Sequence, residues 1–290
     1  MTPDTPPDEP KKSLFEKLGA ALPVGLTALA TILAGLSTGE LSLAMYWRSA
    51  AAQDQAKAND QWSLAAHKRD RALMCETTAD ILRTKVDTDP FNSRAIIITP
   101  PPTRTPEVVE RVGAWLGGKG EPPVDDEQVR AVLQAVREHR PEQDVLQLAR
   151  RVKGVSLEVE ITYALAQVTG VEQQYEAELR AAKSMDWVAL KQWQQAAVRY
   201  DVDSRRYKAE ATANQWVGFL YEVRVKTSTA ESERFRQRSE NFFFAMLAAQ
   251  VGGVGSSLAL ARKRRSALWL VAGIAGLAAV GFGAFVYLTM

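Results

Sequence analysis

Uncharged apolar stretches occupy both ends of the chain, and a polar, alanine-rich stretch fills its middle. No charged residue occurs from Leu18 to Gly39, from Phe242 to Ala261 or from Ala267 to Leu288. A helix of about 20 apolar residues matches a hydrocarbon core about 30 Å thick. Each stretch therefore predicts a membrane-crossing helix, one over 18–46 and two more over 241–261 and 267–290. Lys11, Lys12 and Lys17 precede the first, and Tyr46 and Trp47 follow it as aromatic anchors. A cleaved signal peptide is the competing reading of that stretch, with Ser42 and Ala44 as a small-x-small site, but the apolar run is long for one.

The second and third stretches are separated by Arg262, Lys263, Arg264 and Arg265. A link as short as 262–266 predicts a tight helical hairpin, because backbone groups in lipid must be satisfied within each helix. Small residues recur at four-residue spacing: Ala248, Gly252 and Ser256 in one helix, Ala275, Ala279 and Gly283 in the other. Such rows let backbones approach closely where apolar burial gives no drive for association. Four cations in one turn favour a cytoplasmic turn. Parity then sends 47–240 outward and leaves the tail 1–17 inside, although Arg48, Arg234, Arg236 and Arg238 oppose that bias.

Between the apolar ends the period is helical. From Trp47 to Leu82 there is no Pro or Gly, and Trp47, Ala51, Ala58, Trp62, Ala65 and Ala72 fall on one stripe. This predicts a first long stalk helix over 47–85. A proline-rich linker follows at 86–105, in which Ala95 to Ile98 alone has strand character. Three short amphipathic patterns come next. One starts at Pro106, one is capped by Asp125 or Asp126, and one opens at Pro141. They predict a small helical knob over 106–155, of a size marginal for folding alone. From Leu157 to Lys226 no proline occurs, so 156–240 reads as one long helix or two in line. Its seam runs through Leu190, Trp193, Ala197, Tyr200, Ser204, Tyr207, Ala211, Asn214, Gly218, Tyr221 and Val225, in coiled-coil steps of three and four. The predicted fold is all-α. An antiparallel coiled-coil stalk, with Trp62, Leu190, Trp193, Tyr200 and Tyr207 in its seam and the knob at its far end, is carried by the three membrane helices.

Charge and chemistry add mostly exclusions. Lys plus Arg and Asp plus Glu number 36 and 34, a net charge of +2, so no field favours nucleic acid. One cysteine, Cys75, excludes an internal disulfide, and with His67 and His139 it is too few for a Cys/His zinc site. No phosphate loop, nucleophile elbow or His-Glu-x-x-His is present. Residues 125–127 form an acidic cluster that suits a helix N-terminus. No cofactor, metal or small-molecule substrate is predicted. Gln250 is a strongly polar side chain deep in the second apolar stretch.

The anchor, the arm from Gln53 to Trp62 (Gln-Asp-Gln-Ala-Lys-Ala-Asn-Asp-Gln-Trp) and the closing hairpin with its Arg/Lys turn resemble the bacterial family called domain of unknown function 4337. That family has an N-terminal membrane helix, an Asn/Asp-x-Trp motif in the next helix, and two final membrane helices split by basic residues. After Trp62 this chain departs from the family pattern, and 106–155 has no counterpart there. The resemblance implies a multi-pass protein of a bacterial cytoplasmic membrane and transfers no functional residue. The expected function is a non-enzymatic membrane scaffold whose partners are the bilayer and a protein, or a second copy, met through the stalk. The alternative is an accessory or pore-forming subunit of a transport assembly.

Overall fold

The computed structural model describes residues Leu14–Val86, 106–117, 119–183, 192–261 and 267–289. All regular structure among them is helical: α1 Leu14–Val86, α2 Pro106–Leu116, α3 Glu127–Arg137, α4 Glu142–Ala149, α5 Gly154–Lys183, α6 Gln192–Ala261 and α7 Ala267–Thr289. Helices α1, α6 and α7 each contain a stretch long and apolar enough to cross a membrane. The tail 1–13, most of the linker with its strand-like segment, Leu190 and the basic turn of Arg262, Lys263, Arg264 and Arg265 lie outside the described residues.

The apolar stretch 18–46 and the polar arm 47–85 lie on one helix, α1. Likewise α6 joins its polar part to its apolar part without a break. By contacts the chain divides into two compact units, Met1–Trp47 with Glu231–Met290 and Arg48–Ala230.

In the Arg48–Ala230 unit, α1 presents Ala51, Ala58, Ala65, Ala72 and Ala79, all buried, at a spacing of seven residues. A strict seven-residue repeat keeps one row against one neighbour. That neighbour is α6: Trp62 meets Glu222, Lys68 meets Glu210 and Arg83 meets Asp201, so the two run antiparallel. Helix α5 does not continue in line with α6, as expected for 156–240, but folds back along it. Tyr163 packs edge-on to Trp216 with ring centroids 5.7 Å apart, and Glu158 pairs with Arg224. The physical reason is a second apolar face. Helix α5 carries Leu157, Ile161, Ala164, Val171 and Tyr175, and α6 answers with Val202, Ala209, Trp216, Leu220 and Val223, all buried in one core.

The short helices belong to that core and do not stand at the far end of a stalk. Val112, Leu116, Val129, Val132, Leu133 and Val145 share a cluster with the α5 and α6 residues. Arg137 of α3 lies over the Phe219 ring, and Glu142 of α4 pairs with Lys226. A three-helix segment too small to bury its own apolar faces completes them on longer neighbours. Asp126, not Asp125, caps α3, accepting from the Gln128 and Val129 amides at 2.9 and 3.0 Å. Just beyond α3 and its cap Glu138, His139 has φ 53°. The His139 and Arg140 amides bond back to the Val136 and Ala135 carbonyls in a Schellman turn.

The other unit reverses the usual distribution of side chains. Small residues make up much of its interior, among them Ala30, Ala245, Ala249, Gly252, Ser256, Ala259, Ala272 and Ala279. Many of its large apolar side chains point out: Ile32, Val251, Val254, Leu270, Ile274 and Phe285 are all exposed, and Leu277 is 76% exposed, while Leu26, Leu33, Phe242 and Val286 are buried. A Cβ on Gly252 would stand 3.2 Å from the Ala272 carbonyl oxygen and 3.1 Å from Leu26, so α1, α6 and α7 meet there at near-backbone distance. Gly276 and Gly283 receive Leu26 and Leu33 in the same way.

Candidate functional site

Two places hold polar chemistry that packing alone does not require. The first is a ladder of charges in the Arg48–Ala230 unit. Positions 54, 61 and 68 of α1 fall between the buried alanines and carry Asp, Gln and Lys. A charge on a buried stripe is stable only with a partner, since desolvation costs several kcal/mol per ion. Each charge finds one. Arg224 of α6 reaches Asp54 of α1 at 3.1 Å and Glu158 of α5 at 2.6 Å, joining three helices through one guanidinium. Glu210 is fully buried and accepts from Lys68 of α1 and from Arg206 one turn away on α6, the latter at 2.6 Å. The Tyr207 ring lies within 6 Å of Lys68, Arg71 and Arg206, which adds cation–π attraction around the same carboxylate. Arg83–Asp201 and Lys208–Glu76 continue the ladder toward the end of α1.

Between these rungs Trp62 donates its indole N–H to Glu222 at 2.8 Å and packs edge-on to Phe219 with centroids 4.8 Å apart. Gly218 makes room for the indole, because a Cβ there would lie 3.2 Å from Trp62 Cε2. Burial pushes the Glu222 carboxyl above its ordinary range, while the Trp62 hydrogen bond and the Lys226 charge pull it back. Burial also raises the Cys75 thiol, Asp203 adds to the rise and Arg71 opposes it.

Every carboxylate of the ladder is thus engaged by a cation or an indole on a neighbouring element. Such an arrangement fixes the register of α1 against α6. No group of three His, Cys, Asp or Glu able to hold a metal occurs among the described residues.

The second place is in the apolar unit. Helices α1 and α6 leave an open groove of about 670 Å³, lined by Thr27, Ala30, Thr31 and Ala34 on one side and Gln250, Gly253, Val254, Ser257 and Leu258 on the other. Thr27, Thr31 and Ser257 turn their hydroxyls onto their own helices, donating to the carbonyls of Pro23, Thr27 and Gly253. Gln250 is exposed, and no described residue hydrogen-bonds its amide. Nearer the end of the apolar stretch, Ser37 and Ser239 exchange hydroxyl-to-carbonyl bonds at 2.9 and 2.8 Å, and Ser232 donates to the Ala44 carbonyl.

The residues singled out from sequence are distributed over both places. Gly252, Ser256, Ala279 and Gly283 are buried in the apolar unit, and Ala248 and Ala275 are half-buried there. Trp62 and Tyr207 lie in the ladder. Trp193 and Tyr200 are 57% and 38% exposed, because the small row of Ala197, Ser204, Ala211 and Gly218 takes the inward face of α6. Asp54, Arg206, Glu210, Glu222 and Arg224 were not singled out. The available signal was the run of polar residues interrupting an alanine stripe at seven-residue intervals. No family model, curated relative or solved structure matches the chain, so the resemblance to the family of unknown function rests on its quoted residues alone.

Proposed function

We propose that the chain is an integral membrane protein that acts as a non-enzymatic scaffold, anchored by three membrane helices. The observation that carries the membrane reading is the inverted side-chain distribution of the apolar unit. Water would penalise so many exposed Ile, Val, Leu and Phe side chains, whereas lipid accepts them and lets small residues pack much of the interior. The reciprocal Ser37–Ser239 bonds and the Glu40–Arg238 pair at 3.5 Å suit the depth at which an apolar core gives way to headgroups.

The scaffold reading is supported by the ladder. Its charges pair with one another across α1, α5 and α6, which ties three helices into one body suited to presenting a surface. In this reading the basic turn at 262–266 faces the cytoplasm and the Arg48–Ala230 unit faces out. Reaction of a Gln128→Cys, Cys75→Ser chain with a membrane-impermeant maleimide on intact cells tests the orientation. Labelling is expected, and labelling only after lysis would invert the topology. Recovery of a stoichiometric protein partner after mild detergent extraction tests the scaffold role, and purification as a partnerless protein would count against it.

A further inference from the structure

We propose that a second copy of this chain docks into the groove between the apolar parts of α1 and α6, with the Gln250 carboxamides of the two copies hydrogen-bonded to each other. This inference rests on the membrane reading. Gln250 sits near the middle of the Phe242–Ala261 stretch, and Thr27 and Thr31 sit near the middle of Leu18–Gly39, so the groove lies at the depth where water is scarcest. An amide there has two donors and an acceptor to satisfy, and lipid tails satisfy none. The neighbouring hydroxyls are already committed to the Pro23, Thr27 and Gly253 carbonyls, so the groove itself offers Gln250 no donor. Those hydroxyl oxygens can still accept, but a donor for the Gln250 carbonyl oxygen has to come from outside the fold, at the same depth.

A copy of the same chain meets both conditions. Inserted with the same topology, it carries a Gln at the same depth. A primary carboxamide is also self-complementary: across a two-fold axis each side chain donates to and accepts from the other. The shape agrees with the chemistry. The small residues Ala30, Ala34 and Gly253 help line the groove, and the exposed Val254 and Leu258 line its α6 side as a ridge. In an isologous contact that ridge enters the partner's groove while its own groove receives the partner's ridge. The opposite side of the α1–α6 pair is closed by α7 at Gly252, Ala272 and Ala275, so this is the face left open.

The test uses the full chain with Cys75→Ser, in liposomes. A Val254→Cys copy is expected to form a disulfide-linked dimer on mild oxidation, whereas Leu277→Cys, on the exposed side of α7, stays monomeric. Dilution of labelled chains in lipid is expected to give a dissociation constant roughly three- to thirty-fold higher for Gln250→Leu, the range of one interhelical hydrogen bond in a bilayer. Gln250→Asn is expected to recover part of it. The proposal is overturned if Val254→Cys does not cross-link, if Leu277→Cys cross-links equally, or if Gln250→Leu leaves the affinity unchanged. Alkaline carbonate extraction of the same liposomes separates the two readings. A chain that stays inserted but monomeric sinks only the dimer, whereas a chain that washes free sinks the membrane reading with it.

Discussion

Replacing Glu210 by Ala isolates what the charge ladder contributes to stability. The carboxylate is fully buried and accepts from Lys68 and Arg206, so the change deletes two charge-assisted hydrogen bonds worth about 1.5 to 3 kcal/mol each. Part of that loss is recovered, because the Lys68 and Arg206 side chains are 20% and 28% exposed and can turn toward water. The small cavity left behind adds about 1 kcal/mol of cost. The net expectation is a loss of about 2 to 4 kcal/mol. A companion variant carrying Lys68→Met, Arg206→Met and Glu210→Leu together removes all three charges. It is expected to lie within about 1 kcal/mol of the parent, since apolar replacement of a whole buried ion cluster is often neutral or better. Denaturant unfolding of the detergent-purified chain, followed by the fluorescence of Trp62 and Trp216 in the same unit, measures both. If Glu210→Ala loses less than about 1 kcal/mol, or the triple variant loses as much as the single one, desolvated pairing is not what holds α1 to α6.

Three further outcomes follow from particular contacts. Because burial raises the Glu222 carboxyl, its contribution to stability is full below the ordinary carboxylate range and is lost as pH rises through the raised value. Glu222→Gln, which still accepts from Trp62, is therefore expected to be more stable than the parent at pH 7 and to lose that advantage toward pH 4 in thermal melts; a constant difference would show that burial of the charge is not the cause. His139→Gly is expected to stabilise the α3–α4 turn by about 0.5 to 1 kcal/mol in denaturant melts, since a side chain at positive φ is strained and glycine is not. Gly252→Val is expected to lower the melting temperature in detergent by the equivalent of about 1 to 3 kcal/mol, because the Ala272 carbonyl cannot yield. Gly273→Val, with open space at its Cβ, is the control and should cost at most the difference in helix propensity.

The helical class and the three apolar stretches were legible because both depend on period and length alone. The alanine stripe was legible from Ala51 to Ala72. Its extension to Ala79, inside the expected helix, went unread, and its continuation at Ala44 lay beyond the expected start of that helix at Trp47. The return of α5 along α6 was not legible, since Ser184 to Lys191 contains neither Pro nor Gly to mark a turn. Helix α6 also carries two buried faces, small residues toward α1 and large ones toward α5. A reading that seeks one seam picks the small row and then assigns Trp193 and Tyr200 to it by spacing. The ladder was hidden for a related reason. Charged residues in a polar helix look solvated until a neighbour removes the water, and Glu210 is buried only once α1 lies on α6.

The central claim is that the exposed Ile, Val, Leu and Phe coat of the apolar unit faces lipid. Its most direct measurement is the collision accessibility of a spin label at Leu277→Cys, in a Cys75→Ser chain reconstituted into liposomes, compared with the same label at Gln128→Cys. Leu277 is expected to be open to oxygen and shielded from a water-soluble nickel chelate, with Gln128 showing the opposite preference. A label at Leu277 that collides with the nickel chelate as freely as one at Gln128 would contradict the claim.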